Sequence, residues 1–229
     1  MIYVTGDMHG DPERLSDPAL RRLKKGDILL VCGDFGFVWD GSAAEQKLLR
    51  RISRQKYTMA FLDGRHENYD LLAAYPTETW HGGQAQILNE RLVHLMRGEI
   101  YELEGRTFFT FGGGESDDRE FRIPGKSWWP EEMPTEAQMR HGLERLSAHH
   151  NRVDYILTHV PARTAAARLN PRSATDGVSL FLGGIEDTVQ CREWFFGSLH
   201  RDRVIGARRR AVFRDVVPIQ DTAEPEKPG

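Results

Sequence analysis

The chain has 229 residues, of which 39% are hydrophobic, enough for one substantial core in a soluble globular domain. A formal charge of −3 and a pI of about 6.3 give no support to nucleic-acid binding driven by net charge. Two cysteines, Cys32 and Cys191, imply no disulfide framework. No apolar stretch reaches membrane-spanning length, and no charged leader precedes the first apolar run, so a cytoplasmic setting is expected.

In chain order, residues 2–5 and 28–32 are short apolar runs that read as central strands. Ser42-Ala43-Ala44-Glu45 is a capping box, followed at helical spacing by Leu48, Leu49 and Ile52. Tyr57 to Leu62 is the next strand. Residues 99–103 and 106–111 read as a hairpin turning at Glu104-Gly105. A second capping box, Thr135 to Gln138, opens a helix running to about His149. Val153 to Leu157 is then a strand that delivers His159, and residues 203–206 and 210–217 are late strands. Residues 1–218 form one domain. Residues 219–229, rich in Pro and Glu, are expected to be a disordered tail. These patterns by themselves give a mixed α/β protein.

Chemistry-bearing residues recur where strands give way to loops. Asp7-Met8-His9 follows the first apolar run, and Gly33-Asp34-Phe35-Gly36 follows the second. Gly64-Arg65-His66-Glu67, His159 and Gly197-Ser198-Leu199-His200 come later. Loops at the carboxyl ends of neighbouring strands gather distant residues around one ligand. Carboxylate and imidazole donors together suit Mn, Fe or Zn. Near an anionic phosphate, Asp7 and Asp34 need a cation between, because they would otherwise repel it. The pattern reads as a metal-assisted phosphoester hydrolase. An aspartate after a strand, or a lone histidine in a structural role, is the plainer explanation of any one block.

Together, in this order and spacing, the blocks resemble those of the calcineurin-like metallophosphoesterases, especially their small bacterial single-domain members. The family blocks are D-x-H, G-D-x-G, G-N-H-E/D, a single H and G-H-x-H. The resemblance extends over about residues 1–215. Gly112-Gly113-Gly114-Glu115-Ser116 and Ser127-Trp128-Trp129-Pro130-Glu131-Glu132 also look like segments of that subgroup. It implies a four-layer α/β/β/α sandwich with two mixed β-sheets. It implies one divalent transition metal, Mn first with Fe or Zn as alternatives, held by Asp7, His9, Asp34 and His200. Asp34 would bridge to a second metal shared with His159. Arg65 and Ser198 stand where that second metal's asparagine and histidine ligands belong, so the second metal is expected to be weak or absent.

A guanidinium stays protonated and cannot ligate a cation. Arg65 either takes the second cation's space and holds phosphate oxygens bidentately, or points outward and leaves that site empty. The resemblance implies His66 near the substrate, suited to protonating the leaving oxygen. It assigns His66 and Asp34 to catalysis and His159 to the second metal or the phosphate; Arg65, read as a guanidinium clamp, joins both the catalytic and the phosphate-binding residues. The implied function is hydrolysis of a phosphomonoester or phosphodiester by a metal-activated water. The alternative is a catalytically degenerate module that binds a phosphate ligand or another protein. A small phosphoester is the expected partner, and the oligomeric state is open. Arg163, Arg168 and Arg172 follow His159 as either a basic pocket rim or a surface element. Trp128-Trp129 is either a wall over the substrate or a plug under a long loop. Arg50-Arg51 with Arg54, and Arg208-Arg209-Arg210, read as solvated faces.

Overall fold

The computed structural model describes residues 1–169 and 176–220. Strands β1 (Ile2–Thr5), β2 (Ile28–Val31), β3 (Thr58–Leu62), β4 (Thr77–Trp80), β5 (Gly83–Asn89) and β6 (Leu92–Leu95) come first. They are followed by β7 (Glu99–Leu103), β8 (Arg106–Phe111), β9 (Tyr155–Thr158), β10 (Glu193–Phe196), β11 (Arg203–Ile205), β12 (Arg209–Ala211) and β13 (Val217–Pro218). One sheet has the order β13-β1-β2-β3-β6-β5-β4 and the other β11-β12-β10-β9-β8-β7. Both are mixed. The first is parallel from β1 to β6, with antiparallel strands at each side. The second is parallel from β8 through β9 and β10 to β12, with β7 and β11 antiparallel at its edges.

Alternation along each strand explains the layers. Ile2, Val4, Leu30, Ala60 and Leu62 of the first sheet meet Phe108, Tyr155, Leu157 and Phe195 of the second. The intervening Leu29, Val31, Met59 and Phe61 point the other way. They are covered by α1 (Pro18–Arg21), α2 (Ala43–Ser53) and α3 (Tyr69–Ala73), through Leu20, Leu49, Ile52 and Leu72. On the far side, Phe109, Phe111, Ile156, Trp194 and Phe196 pack under α4 (Glu136–Ala148), α5 (Arg163–Leu169) and α6 (Gly177–Thr188). Strands buried on both faces must be apolar at every position, which is why β2 and β3 read as continuous runs. The architecture is the expected α/β/β/α sandwich.

The α4 capping box forms in full between Thr135 and Gln138. The Ser42 box is half made. Ser42 Oγ accepts the Glu45 amide at 3.1 Å, but the Glu45 carboxylate turns back to the amides of Trp39, Asp40 and Gly41. The stretch 210–217, expected as one strand, is corrected. Its first residues belong to β12 and its last to β13, in different sheets. Asp202 accepts the amides of Phe213, Arg214 and Asp215 and turns the chain between them. Ile219 is buried and donates its amide to Ile2. Residues 221–229 of the expected tail lie outside the described residues.

Candidate metal centre

Parallel pairing of β1, β2 and β3 brings their following loops to one edge of the first sheet, and β9 and β10 do the same for the second. Asp7 and His9 follow β1, Asp34 follows β2, and Arg65 and His66 follow β3. His159 follows β9, and Ser198 and His200 follow β10. The loops are laced together. The amides of Met8 and His9 donate to the Asp34 carbonyl at 2.9 and 2.8 Å. Those of Arg65 and His66 donate to Asp34 Oδ1 at 2.5 and 3.0 Å, and that of Ser198 to Asp7 Oδ1 at 3.0 Å.

Two glycines make these approaches possible. A side chain at Gly64 would start 2.2 Å from Asp34 Oδ1, and one at Gly33 would start 2.3 Å from His159 Nδ1. Gly33 also has φ of +85°, which strains any other residue. His9, Asp34, Ser198 and His200 are themselves left-handed, with φ between 46° and 62°. Such backbone is sparsely populated by residues with a Cβ, and it persists where surrounding structure enforces it.

The functional atoms converge. His9 Nε2 lies 2.8 Å from His200 Nε2 and 3.8 Å from Asp34 Oδ2, and His200 Nε2 lies 3.5 Å from Asp7 Oδ2. His66 Nδ1 faces Asp34 Oδ2 at 3.1 Å. On the inner side, His159 Nε2 is 3.3 Å from Asp34 Oδ1 and His159 Nδ1 is 3.6 Å from Asp7 Oδ1. Among the described residues, three overlapping groups have donor atoms within 4.8 Å of one another: Asp7, His9 and His200; His9, Asp34 and His66; and Asp7, Asp34 and His159. The last gives His159 a third donor, Asp7, which the family blocks do not place there.

These residues fit a divalent cation. Asp7 Oδ2 and His159 Nε2 are buried and have no hydrogen-bond partner. An unpaired buried carboxylate oxygen is costly, and a cation compensates it. Burial, then the nearby Asp34, pushes the Asp7 carboxyl well above the usual range. Burial also raises Asp34, but His159, His66 and Arg65 outweigh it and hold the carboxyl low. Burial pushes His9 down to about 4 and lowers His159 and His200 as well. Imidazoles held neutral are in the state that ligates metal.

The calcineurin-like phosphoesterase family profile matches residues 1–184. The chain belongs to the calcineurin-like phosphoesterase family. No curated protein matches it. Among solved structures, the phosphopantetheinyl hydrolase from Mycobacterium tuberculosis is similar at 18% identity, with a TM-score of 0.42, over 93% of this chain and 89% of that one.

Around this candidate metal centre, Arg65 turns its guanidinium to the Glu115 carbonyl at 3.4 Å and to Asp117 at 3.6 Å. Ser198 contributes its backbone amide to Asp7. Asp63 is bound to Arg97 and His94 instead of His66. Glu67, at the end of the same block, is buried and accepts the amides of Phe35 and Gly36, tying the third block to the second. A cleft of about 450 Å³ opens beside His9 and His66, with Phe37, Trp39 and Leu48 in its wall. Trp129 is buried, stacks edge-on against Trp39 and donates to Asp70. The wall residue is therefore Trp39, which sequence reasoning missed, and Trp129 supports it from behind. Arg163 and Arg168 are exposed on α5, and Arg172 lies outside the described residues.

Proposed function

We propose that the chain is a metal-dependent phosphoesterase that hydrolyses a small phosphomonoester or phosphodiester. The grouping of Asp7 with its unpaired buried Oδ2, His9 and His200, with Asp34 Oδ2 3.8 Å from His9 Nε2, carries this reading. These four side chains would hold the principal metal, with manganese the first to test and iron or zinc as alternatives. When bound, a divalent ion supplies Lewis-acid polarisation of a phosphoryl oxygen and acidifies water. The second metal is weak or absent. Arg65 and Ser198 are not ligands of the usual kind, and Asp34 and His159 with Asp7 are all that remain on that side.

The remaining steps belong to the protein's own groups. The Asp34 carboxylate, kept ionised, accepts from His66 Nδ1 and so fixes the proton on that nitrogen. In the protonated ring, Nε2 then carries the proton that the leaving oxygen takes. His66 borders the open cleft, where a leaving group has room. His159, fully buried behind the carboxylates, is a positioning group for Asp7 and Asp34. Arg65 contributes positive charge beside the phosphate from its place against Glu115 and Asp117.

We further propose membership of the small bacterial single-domain phosphoesterases, with one domain over residues 1–218. Its two free cysteines agree with a cytoplasmic setting. The altered positions Arg65 and Ser198 favour a second reading, a module that binds a phosphate ligand without turning it over. Metal content of the purified protein, with manganese-dependent turnover of p-nitrophenyl phosphate and bis(p-nitrophenyl) phosphate, separates the two. Turnover abolished by Asp34→Ala supports the enzyme. Tight phosphate-ester binding with no turnover supports the module.

A further inference from the structure

We propose that the substrate is an elongated phosphoester whose second, remote anionic group is held by Lys47, Arg50 and Arg51 on α2 and by Arg54 at its C-cap. This rests on the phosphoesterase reading of the metal centre. The four cations fall at i, i+3, i+4 and i+7, so they share one face of α2, opposite the buried Leu49 and Ile52. All four are exposed, and none makes an ion pair or a side-chain hydrogen bond with a described residue. Like charges at this spacing destabilise a helix. The only acidic residue in α2, Glu45, spends its carboxylate on the amides of Trp39, Asp40 and Gly41. An uncompensated cationic stripe in a chain of net charge −3 is therefore a local cost with no partner among the described residues.

The stripe is also concave and joined to the metal centre. Its four residues line a hollow of about 400 Å³, which shares Ala44 and Leu48 with the cleft beside His9 and His66. The sign of the charge changes along this path. Histidines stand at one end, then the apolar wall of Phe37, Trp39 and Leu48 with the acidic Asp40 and Glu45 near it, then the basic hollow. Asp40 and Glu45 disfavour an anion in the middle. A phosphoester seated at His66 therefore has a neutral, partly apolar middle and a sulfonate-like or phosphate-like far end.

Equilibrium binding to the manganese-loaded protein tests this with non-hydrolysable alkylphosphonates, whose P–C bond replaces the scissile ester bond, in short and long chains, ending in either a hydroxyl or a sulfonate. At low ionic strength the long sulfonate-ended ligand should bind about tenfold tighter than its hydroxyl-ended twin, as expected for a few exposed charge contacts. The advantage should shrink as salt is added. Arg51→Gln with Arg54→Gln should remove it and leave the affinity for the hydroxyl-ended ligand unchanged. Equal binding of the two ligands at every chain length, or a preference that survives in the variant, overturns the proposal. Hydrolysis of the matching p-nitrophenyl diesters is measured alongside. A sulfonate preference without any hydrolysis retains the remote site and sinks the phosphoesterase reading. Hydrolysis without the preference does the opposite.

Discussion

Asp34 divides its carboxylate between two tasks: Oδ2 faces His66 Nδ1 at 3.1 Å, while Oδ1 accepts the backbone amides of Arg65 and His66. One side chain therefore fixes both the ring and the loop that carries it. If His66 delivers the leaving-group proton, His66→Gln should hurt poor leaving groups most. The expected loss in kcat is on the order of 10²–10⁴ for an alkyl phosphate. It should be small for p-nitrophenolate, which departs without a proton. A leaving-group series measures this directly. An equal loss across the series would remove His66 from the role.

Asp7 and Asp34 lie on either side of His159, both buried, and without a cation their charges oppose each other. Asp7→Asn should relieve that repulsion. The metal-free variant is expected to melt at or above the temperature of the metal-free parent at neutral pH. The parent should gain stability on adding manganese, about 2.7 kcal/mol at a hundredfold excess over Kd. The variant should gain little. Thermal melts with and without manganese check both halves, and an undiminished gain in the variant would take Asp7 out of the ligand set.

Ser198 already has φ of 62°, close to the 51° and 50° of His9 and His200. Histidine is tolerated in that conformation better than most residues, so Ser198→His should fit the backbone. Combined with Arg65→Asn, it supplies two further donors on the His159 side. Metal analysis should then rise from one ion per chain toward two, with ester turnover rising in parallel. Two ions already bound by the parent would show that Asp7, Asp34 and His159 suffice.

The sequence was most legible where burial is two-sided. β2 and β3 are apolar at nearly every position because successive residues enter different cores. β4 and β5, with Thr77, Glu78, Gln84 and Gln86, lie toward an edge where several side chains are exposed, and no apolar run marks them. β10, which delivers Ser198 and His200, is anticipated only as a strand ending before that block, with no bounds read from the sequence. Gly183 and Gly184 hide the helical pattern of α6. The loops that carry the seven candidate site residues meet where the carboxyl ends of parallel strands from the two sheets adjoin, which motif order anticipates. Trp39 could not be found that way. Its place in the cleft wall depends on Glu45 folding the 39–41 loop back onto α2, a contact between side chain and backbone that leaves no periodic trace.

Asp63, directly before Gly64, anchors the third block from behind. Its carboxylate accepts Arg97 Nε at 2.7 Å and Tyr69 Oη at 3.0 Å, and His94 Nε2 lies 3.3 Å away. Arg97 also donates to the carbonyls of Glu131 and Glu132, joining β3 to the loop before α4. Burial alone would raise the Asp63 carboxyl, but Arg97 and His94 overcome it and hold the group below the usual carboxylate range. A carboxyl depressed in the folded state contributes stability that is complete above the unfolded value of about 3.9 and is lost as pH falls through the folded value. The parent should therefore lose stability progressively below about pH 4. Asp63→Asn leaves the Arg97 charge buried and uncompensated and should cost about 3–5 kcal/mol at neutral pH. It should also flatten the acid limb of the stability curve, because the titrating group is gone. Urea unfolding of both proteins from neutral to acid pH measures the two effects together. A parallel acid limb in the variant would assign the acid sensitivity to other carboxyls.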